Sequence, residues 1–191
     1  MINILILLGK TCAGKDTFVR ELINKGYRNV ASYTTRPMRD GEVDGVTYKF
    51  ISKDDFLDLK ENGFFAETTS YNVATGETWY YGISIEDLSN ADEKSVVILN
   101  PEGLKKVKQI EGLNIISFYI DVKKSIIKKR LRKRGDNRKE ARRRLQADKK
   151  DFKEIENEVN YTISNNRADT FESQVYLIDY IYKRHMKLKL R

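Results

Sequence analysis

Cysteine occurs once in the 191 residues, as Cys12, and histidine once, as His185. One thiol cannot build a disulfide framework or a cysteine zinc site, and one imidazole cannot make a multi-histidine metal centre. No apolar run approaches the length of a bilayer span, and the opening stretch to Leu8 carries no basic leader region, so neither a membrane segment nor a secretory signal is expected. Internal repeats, low-complexity tracts and interdomain linkers are missing too. What remains is a chain of the right length for one domain with small mobile subdomains, able to bury a core without staples. A lone thiol in a glycine-rich loop suits a reducing interior, so a cytoplasmic setting is expected. Acids are the minority charge, 28 against 36 bases, for a net charge of +8. That balance favours acidic ligands, either nucleotides or nucleic acid, and charge alone does not choose between them. No aromatic platform for single strands accompanies the basic residues.

The most informative stretch is Gly9-Lys10-Thr11-Cys12-Ala13-Gly14-Lys15-Asp16-Thr17. It follows an apolar, strand-like run and precedes helical spacing of Phe18, Leu22 and Ile23. Two glycines bracketing four residues let successive backbone N–H groups turn inward on an anion. The following helix N-terminus adds positive potential, and Lys15 reaches the outer phosphates. The reading is a phosphate cradle for a nucleotide. Cys12 is a small loop filler rather than a nucleophile. Asp16 stands where a Ser or Thr usually offers its hydroxyl to Mg²⁺, with Thr17 one residue later. Either this carboxylate serves the metal or it is an acid favoured by the helix dipole, and the two readings stand level.

Taken in order, the spacing predicts a helix from Lys15 to about Lys25, closed by Gly26, and a strand over Asn29 to Thr35 that ends at Pro37. Residues Tyr33 to Phe50 read as a hairpin-like segment carrying Arg36 and Arg39. Two guanidinium forks so close together suit a phosphate, and a basic surface loop is the bland alternative. Ser52 is a plausible cap for a helix ending near Gly63, and Phe64 to Thr69 reads as strand. Glu67 there is either a solvated carboxylate or a base-reading group, and spacing favours neither. Ser95 to Leu99 has the apolar, β-branched character of a buried central strand, with Asn100 leading into a helix. Ile115 to Ile120 is a further strand, followed by charged helices over Ser125 to Arg134 and Arg138 to Phe152. Tyr161 to Asn165 is a last strand, and Thr170 to Leu190 a helix packing on the sheet, with His185 exposed. Strands alternating with helices after a phosphate loop predict a three-layer α/β fold around a parallel sheet.

Gly9 to Thr17, followed by Ser32-Tyr33-Thr34-Thr35-Arg36, Arg39, Gly41-Glu42, Gly45 and Tyr48-x-Phe50, resembles the guanylate kinase family, and later motifs keep that family's order through Asn165. The resemblance implies a CORE (1–31, 85–129, 145–191), a nucleoside-monophosphate-binding part (32–84) and an arginine-rich LID (130–144). It implies transfer of the γ-phosphoryl group of ATP, with Mg²⁺, to GMP or dGMP. ATP would lie on Gly9, Thr11, Cys12, Ala13, Gly14, Lys15, Asp16 and Thr17, with Arg130 and Asn165 nearby. The acceptor would meet Ser32, Arg36, Arg39, Tyr48, Glu67, Tyr81, Ile83 and Asn100. Lys15, Arg36, Arg134 and Arg144 would be catalytic, and Asp16 and Thr17 would attend the metal. Neither a membrane nor nucleic acid is expected as a partner.

The chain departs from the family in four places. Asp16 replaces the loop hydroxyl. Tyr71 to Gly82 is longer than the usual link, with extra residues around Gly76 that suggest a wider hairpin. Ile83 replaces a base-reading hydroxyl. Ile98, Asn100, Glu102 and Gly103 stand where the family writes Asp-x-Asp-x-Gln-Gly, so both aspartates are gone. Asp16 could return the lost charge to the metal. The Gly-Lys-Asp-Thr sequence also resembles phage-type deoxynucleoside monophosphate kinases, which makes an altered base range the runner-up, followed by a binding module impaired in catalysis.

Overall fold

The computed structural model describes residues 2–189; Met1, Leu190 and Arg191 lie outside the described residues, and with them the last residue of the expected final helix. The chain runs β1 (Ile2–Gly9), α1 (Lys15–Asn24), β2 (Arg28–Asn29), β3 (Tyr33–Thr34), β4 (Lys49–Phe50), α2 (Lys53–Glu61), β5 (Phe65–Asn72) and β6 (Thr78–Ser84). It continues through α3 (Ile85–Ser89), β7 (Ser95–Ile98), α4 (Pro101–Val107), β8 (Leu113–Asp121), α5 (Lys124–Arg134), α6 (Arg138–Asp151), β9 (Tyr161–Ser164) and α7 (Phe171–Lys189).

Five strands form a wholly parallel sheet in the order β2-β7-β1-β8-β9. Its centre is β1, whose residues Ile4 to Leu8 are all fully buried, as a strand covered on both faces must be. Leu5 and Leu7 join Phe18 and Leu22 of α1 and Ile178 and Tyr182 of α7 on one side. Ile4, Ile6 and Leu8 join Leu104 and Val107 of α4 and Ile83 of β6 on the other. The two apolar clusters give the three-layer α/β architecture. They also bring the C-terminal ends of β1 and β7 together, so the loop after Gly9 faces Asn100, in the crevice where open parallel sheets bind ligands.

A second sheet, in the order β4-β3-β6-β5, stands over that crevice. Three local expectations change here. The single strand expected over 29–35 is two short ones, because β2 pairs with β7 in the parallel sheet and the chain then crosses to pair β3 with β6. The segment 33–50 is no hairpin: β3 and β4 are parallel, Tyr33 opposite Lys49, so the intervening residues form a broad loop that swings Arg36 and Arg39 inward. His185 is half-buried on α7 rather than exposed. Ser52 does cap α2, accepting from Asp55 N–H at 3.0 Å. The long link does form a hairpin, β5 against β6, with a bulge between Phe65 and Glu67. No helix among the described residues is long and apolar enough to cross a membrane.

Candidate active site

The phosphate loop is held in shape from behind. Cys12 (φ 57°) and Gly14 (φ 95°) adopt left-handed backbone, which turns the chain within a few residues. A side chain at Gly9 would come within 3.0 Å of Ala13 and 3.2 Å of the Ile120 carbonyl, so glycine lets the loop and β8 lie this close without either giving way. Arg130 donates through Nη1 to the carbonyls of Cys12 (3.0 Å) and Ala13 (3.2 Å), and Asn165 Nδ2 donates to Ala13 O at 2.8 Å. Lys15 donates to Gly9 O at 2.7 Å, and burial lowers its pKa against the opposing pull of Asp16 and Asp148.

The groups expected to meet the acceptor line the same cleft as the loop. Arg36 is buried, donates to Pro37 O (2.6 Å) and Glu42 Oε1 (2.7 Å), and lies over the rings of Tyr48 and Phe50 at 5.3 and 5.6 Å. Glu42 Oε2 also accepts from Arg39 N–H at 2.8 Å. The Arg39 side chain makes no ion pair among the described residues. Burial, and then the guanidinium groups of Arg36, Arg144 and Arg134, lower its pKa. Four cations that crowd one another without enough carboxylates are a site that an anion completes.

The groups around Glu67 follow from strand periodicity. Glu67, Thr69 and Tyr71 share one face of β5. Glu67 is 7% exposed, and burial pushes its carboxyl up to about 7 against the pull of Lys106 and Thr69. Thr69 Oγ1 lies 3.4 Å from Glu67 Oε2, and Asn100 Nδ2 donates to Thr69 Oγ1 (3.2 Å) and the Tyr71 hydroxyl (2.8 Å). Asn100 Oδ1 caps α4 by accepting from Gly103 N–H at 2.7 Å. A Cβ on Gly103 would stand 3.2 Å from the Glu67 carboxyl, so that glycine admits the carboxylate.

The third wall comes from α5, α6 and the turn between them. Arg134 donates to both oxygens of Asp136, Nε to Oδ1 at 2.6 Å, and Arg144 Nε donates to Glu140 at 2.8 Å. Asp148, four residues after Arg144, accepts from Thr11 N–H at 3.0 Å, and burial raises its pKa.

One cleft of about 230 Å³ is lined by Gly9, Thr11, Cys12, Lys15 and Asp16, by Ser32, Arg36, Arg39, Tyr48, Glu67, Tyr81 and Asn100, and by Arg134 and Arg144. The expected donor, acceptor and LID residues thus open onto a single space. Five others do not line it. Ala13 is buried in the core cluster, and Gly14 carries the turn. Thr17 lies farther along α1, while Arg130 and Asn165 brace the loop from behind. Ile83 does not line the cleft either: it pairs with Glu67 and shares a face of the sheet with Tyr81, but it lies at the inner end of β6 and is fully buried in the cluster with Leu88, Leu104 and Tyr119. Sequence reasoning passed over Glu42, Thr69, Tyr71, Trp79, Glu140, Arg143, Asp148 and Asp151. Period two from Glu67 marks Thr69 and Tyr71, and period four from Arg144 marks Glu140 and Asp148.

Among the described residues no group of three acidic, histidine or cysteine side chains could hold a metal by itself. Magnesium is commonly held by one or two carboxylates together with phosphates and water. Exposed Asp16, at the mouth of the loop, fits that lesser part.

A family model described as guanylate kinase matches residues 1–178. The guanylate kinase of Helicobacter hepaticus is 36% identical over 135 residues, 67% of this chain and 64% of that protein. The guanylate kinase of Hydrogenovibrio crunogenus is 30% identical over 182 residues, covering 92% of this chain and 86% of the relative. The crystal structure of guanylate kinase from Anaplasma phagocytophilum superposes with a TM-score of 0.69 over 96% of this chain and 86% of that one, at 22% identity, a likeness of fold.

Proposed function

This chain belongs to the guanylate kinase family, and from that premise we propose that it is an ATP-dependent nucleoside monophosphate kinase that phosphorylates GMP, with dGMP as an alternative acceptor. The observation that carries the reading is the shared cleft: Lys15 and the phosphate loop, Arg36 and Arg39, and Arg134 and Arg144 all line one space.

The roles follow from charge and reach. Loop N–H groups and Lys15 hold the donor's phosphates, while Arg36, Arg39, Tyr48 and Tyr81 hold the acceptor phosphate in line with them. Charge spreads over the moving group's oxygens in the transition state, and Arg134 and Arg144, brought in by the LID, stabilise it there and help expel water. No side-chain nucleophile is required, because positioning and cations supply the catalysis. Mg²⁺ bound with ATP would neutralise phosphate charge, with Asp16, and Thr17 behind it, as the residues of this chain nearest to that task.

Guanine recognition falls to Glu67, whose ionised carboxylate accepts from the ring N1–H and the exocyclic amine, where adenine would leave an acceptor facing it. With Ile83 buried in the core, Thr69, Tyr71 and Asn100 supply the other polar groups of the pocket. That substitution favours a second reading, a kinase with a widened base range. We place residues 32–84 as the acceptor-binding part, 130–144 as the LID and the remainder as the CORE, in a cytoplasmic protein.

The test is a coupled assay of ADP formation across GMP, dGMP, AMP, dAMP, CMP, UMP and TMP, with Lys15→Ala as control. GMP and dGMP are expected to lead. Equal rates with AMP would establish the wider range, and no ADP from any acceptor would discard the kinase reading.

A further inference from the structure

The hairpin that departs from the family in length ends on the LID, at Glu140. This carboxylate takes four donors: Ala74 N–H at 2.9 Å, Arg143 Nε at 2.9 Å, Arg143 Nη2 at 2.8 Å and Arg144 Nε at 2.8 Å. A carboxylate has about four acceptor sites, so this one is saturated. Ala74 lies in the turn 73–77 between β5 and β6, a turn braced by Val73 N–H to Glu77 O (2.8 Å) and Thr78 Oγ1 to Asn72 Oδ1 (2.8 Å). Trp79, on the same hairpin, lies 6.0 Å from the Arg144 guanidinium, within cation–π reach. The side chains of Glu140 and Arg144 are each only 14% exposed, so water screens their pairing less than it would a surface bridge.

The strands that lead into this turn carry Glu67, Thr69, Tyr71 and Tyr81 into the acceptor side of the cleft. The helix that bears Glu140 carries Arg143 and Arg144 into the same cleft. One carboxylate therefore joins the element that recognises the acceptor to the element that delivers the arginines. The hydrogen bond from a backbone N–H makes the joint depend on the shape of the turn rather than on a hairpin side chain.

Building on the kinase reading above, we propose that Glu140 is a positioning residue that latches the hairpin tip to the LID, so that acceptor binding and placement of Arg143 and Arg144 are coupled. When the acceptor fixes β5 and β6, Ala74 N–H holds Glu140, and Glu140 holds both guanidinium groups toward the phosphates. Donor and acceptor affinities must then help each other, and by equal factors.

The test replaces residues 73–77 by Asn-Gly, a two-residue turn compatible with antiparallel strands. This removes the Ala74 contact and leaves Glu140, Arg143 and Arg144 in place. Ala74→Pro deletes the same N–H by a second route. GMP affinity is titrated calorimetrically with and without a non-hydrolysable ATP analogue. In the wild-type chain the analogue should tighten GMP about tenfold, a common size for such coupling. In the short-turn protein that factor should fall below about twofold, with GMP affinity alone retained; its thermal midpoint should drop with the loss of buried Val73, which Ala74→Pro leaves in place. Glu140→Gln should lose the same coupling, and adding it to the short turn should lose no more, since both act through one contact. Equal coupling in wild type and both turn variants, including none in any, overturns the latch. A wild-type chain that binds neither nucleotide overturns the kinase reading, and the latch with it.

Discussion

The two halves of the cleft are built from different material. The half we assign to the donor is a short run of consecutive residues whose working groups are mostly backbone N–H, with carbonyls pinned from behind by Arg130 and Asn165. The half we assign to the acceptor is made of side chains: Arg36 and Arg39 from a loop, Glu67, Thr69 and Tyr71 from β5, Tyr81 from β6 and Asn100 from the end of β7. A backbone site tolerates side-chain drift, whereas a side-chain site changes meaning with each replacement. Lys15 is the exception on the donor half, and that makes it the place to strike first. Lys15→Ala should lower kcat by about 10²–10³-fold, the usual loss for one well-placed electrostatic group. Thermal stability should hold or rise, because the substitution removes a half-buried cation whose charged form is disfavoured by desolvation. A large fall in melting temperature would show that Lys15 braces the loop instead.

On the acceptor half the largest effect belongs to Arg36. It is buried with Glu42 at 2.7 Å, and Arg36→Ala leaves that carboxylate without its partner. Breaking a buried pair costs roughly 3–5 kcal/mol of stability. Denaturant unfolding should show a loss of that order, alongside a raised KM for GMP. The double change Arg36→Ala with Glu42→Ala should recover most of the stability and none of the affinity. Recovery of both would mean that Arg36 is structural and that Arg39 alone meets the phosphate. Arg36→Lys should also fail on KM, since an ammonium cannot reproduce the planar fork.

The same contrast explains what could be read from the chain. The phosphate loop was legible because its residues are adjacent and their chemistry is local. The parallel sheet was legible for a related reason, since buried strands such as β1 are written as unbroken apolar runs. The segment 33–50 was not: its glycines and its proline look the same for a hairpin and for the loop observed, and only pairing with β6 through β3 decides. Ile83 misled for a similar reason. It shares a face of its sheet with Tyr81 and pairs with Glu67, and only the packing of that end of β6 on the parallel sheet takes it out of the cleft. Asp148 shares a helix face with Arg144, but its turn inward to the Thr11 N–H is a contact between distant parts of the chain that local spacing does not show.

A smaller effect comes from Glu67, whose carboxyl lies at about 7 in the folded chain. Reading guanine requires the ionised form, so the KM for GMP should rise as pH falls below about 7, and Glu67→Gln should lose that pH dependence along with discrimination against AMP. The stability sign runs the same way. The folded state binds this proton more tightly than the unfolded state, so the stabilising contribution is complete below the ordinary value of 4.5 and is lost as pH rises toward about 7. Glu67→Gln should therefore be the more stable protein at pH above that window, with the advantage shrinking at acid pH. A pH-independent KM in the wild type would take base reading away from Glu67.

The smallest effect tests whether the donor half, too, has begun to depend on a side chain. Asp16 lies at the cleft mouth beside Lys15, while Ile98 and Asn100 at the end of β7 carry no charge. If Asp16 serves the metal, Asp16→Ser should raise the Mg²⁺ concentration for half-maximal rate severalfold and leave saturated kcat nearly unchanged. Binding without metal separates this from a dipole role: a carboxylate near the phosphates repels free ATP, so Asp16→Ser should bind ATP more tightly in the presence of a chelator and no more tightly with Mg²⁺. A helix-terminal acid with no metal role would instead show a loss of about 0.3–1 kcal/mol in stability and an unaltered metal curve. The first pattern would make the loop's specificity, like that of the acceptor pocket, a property of one replaceable side chain.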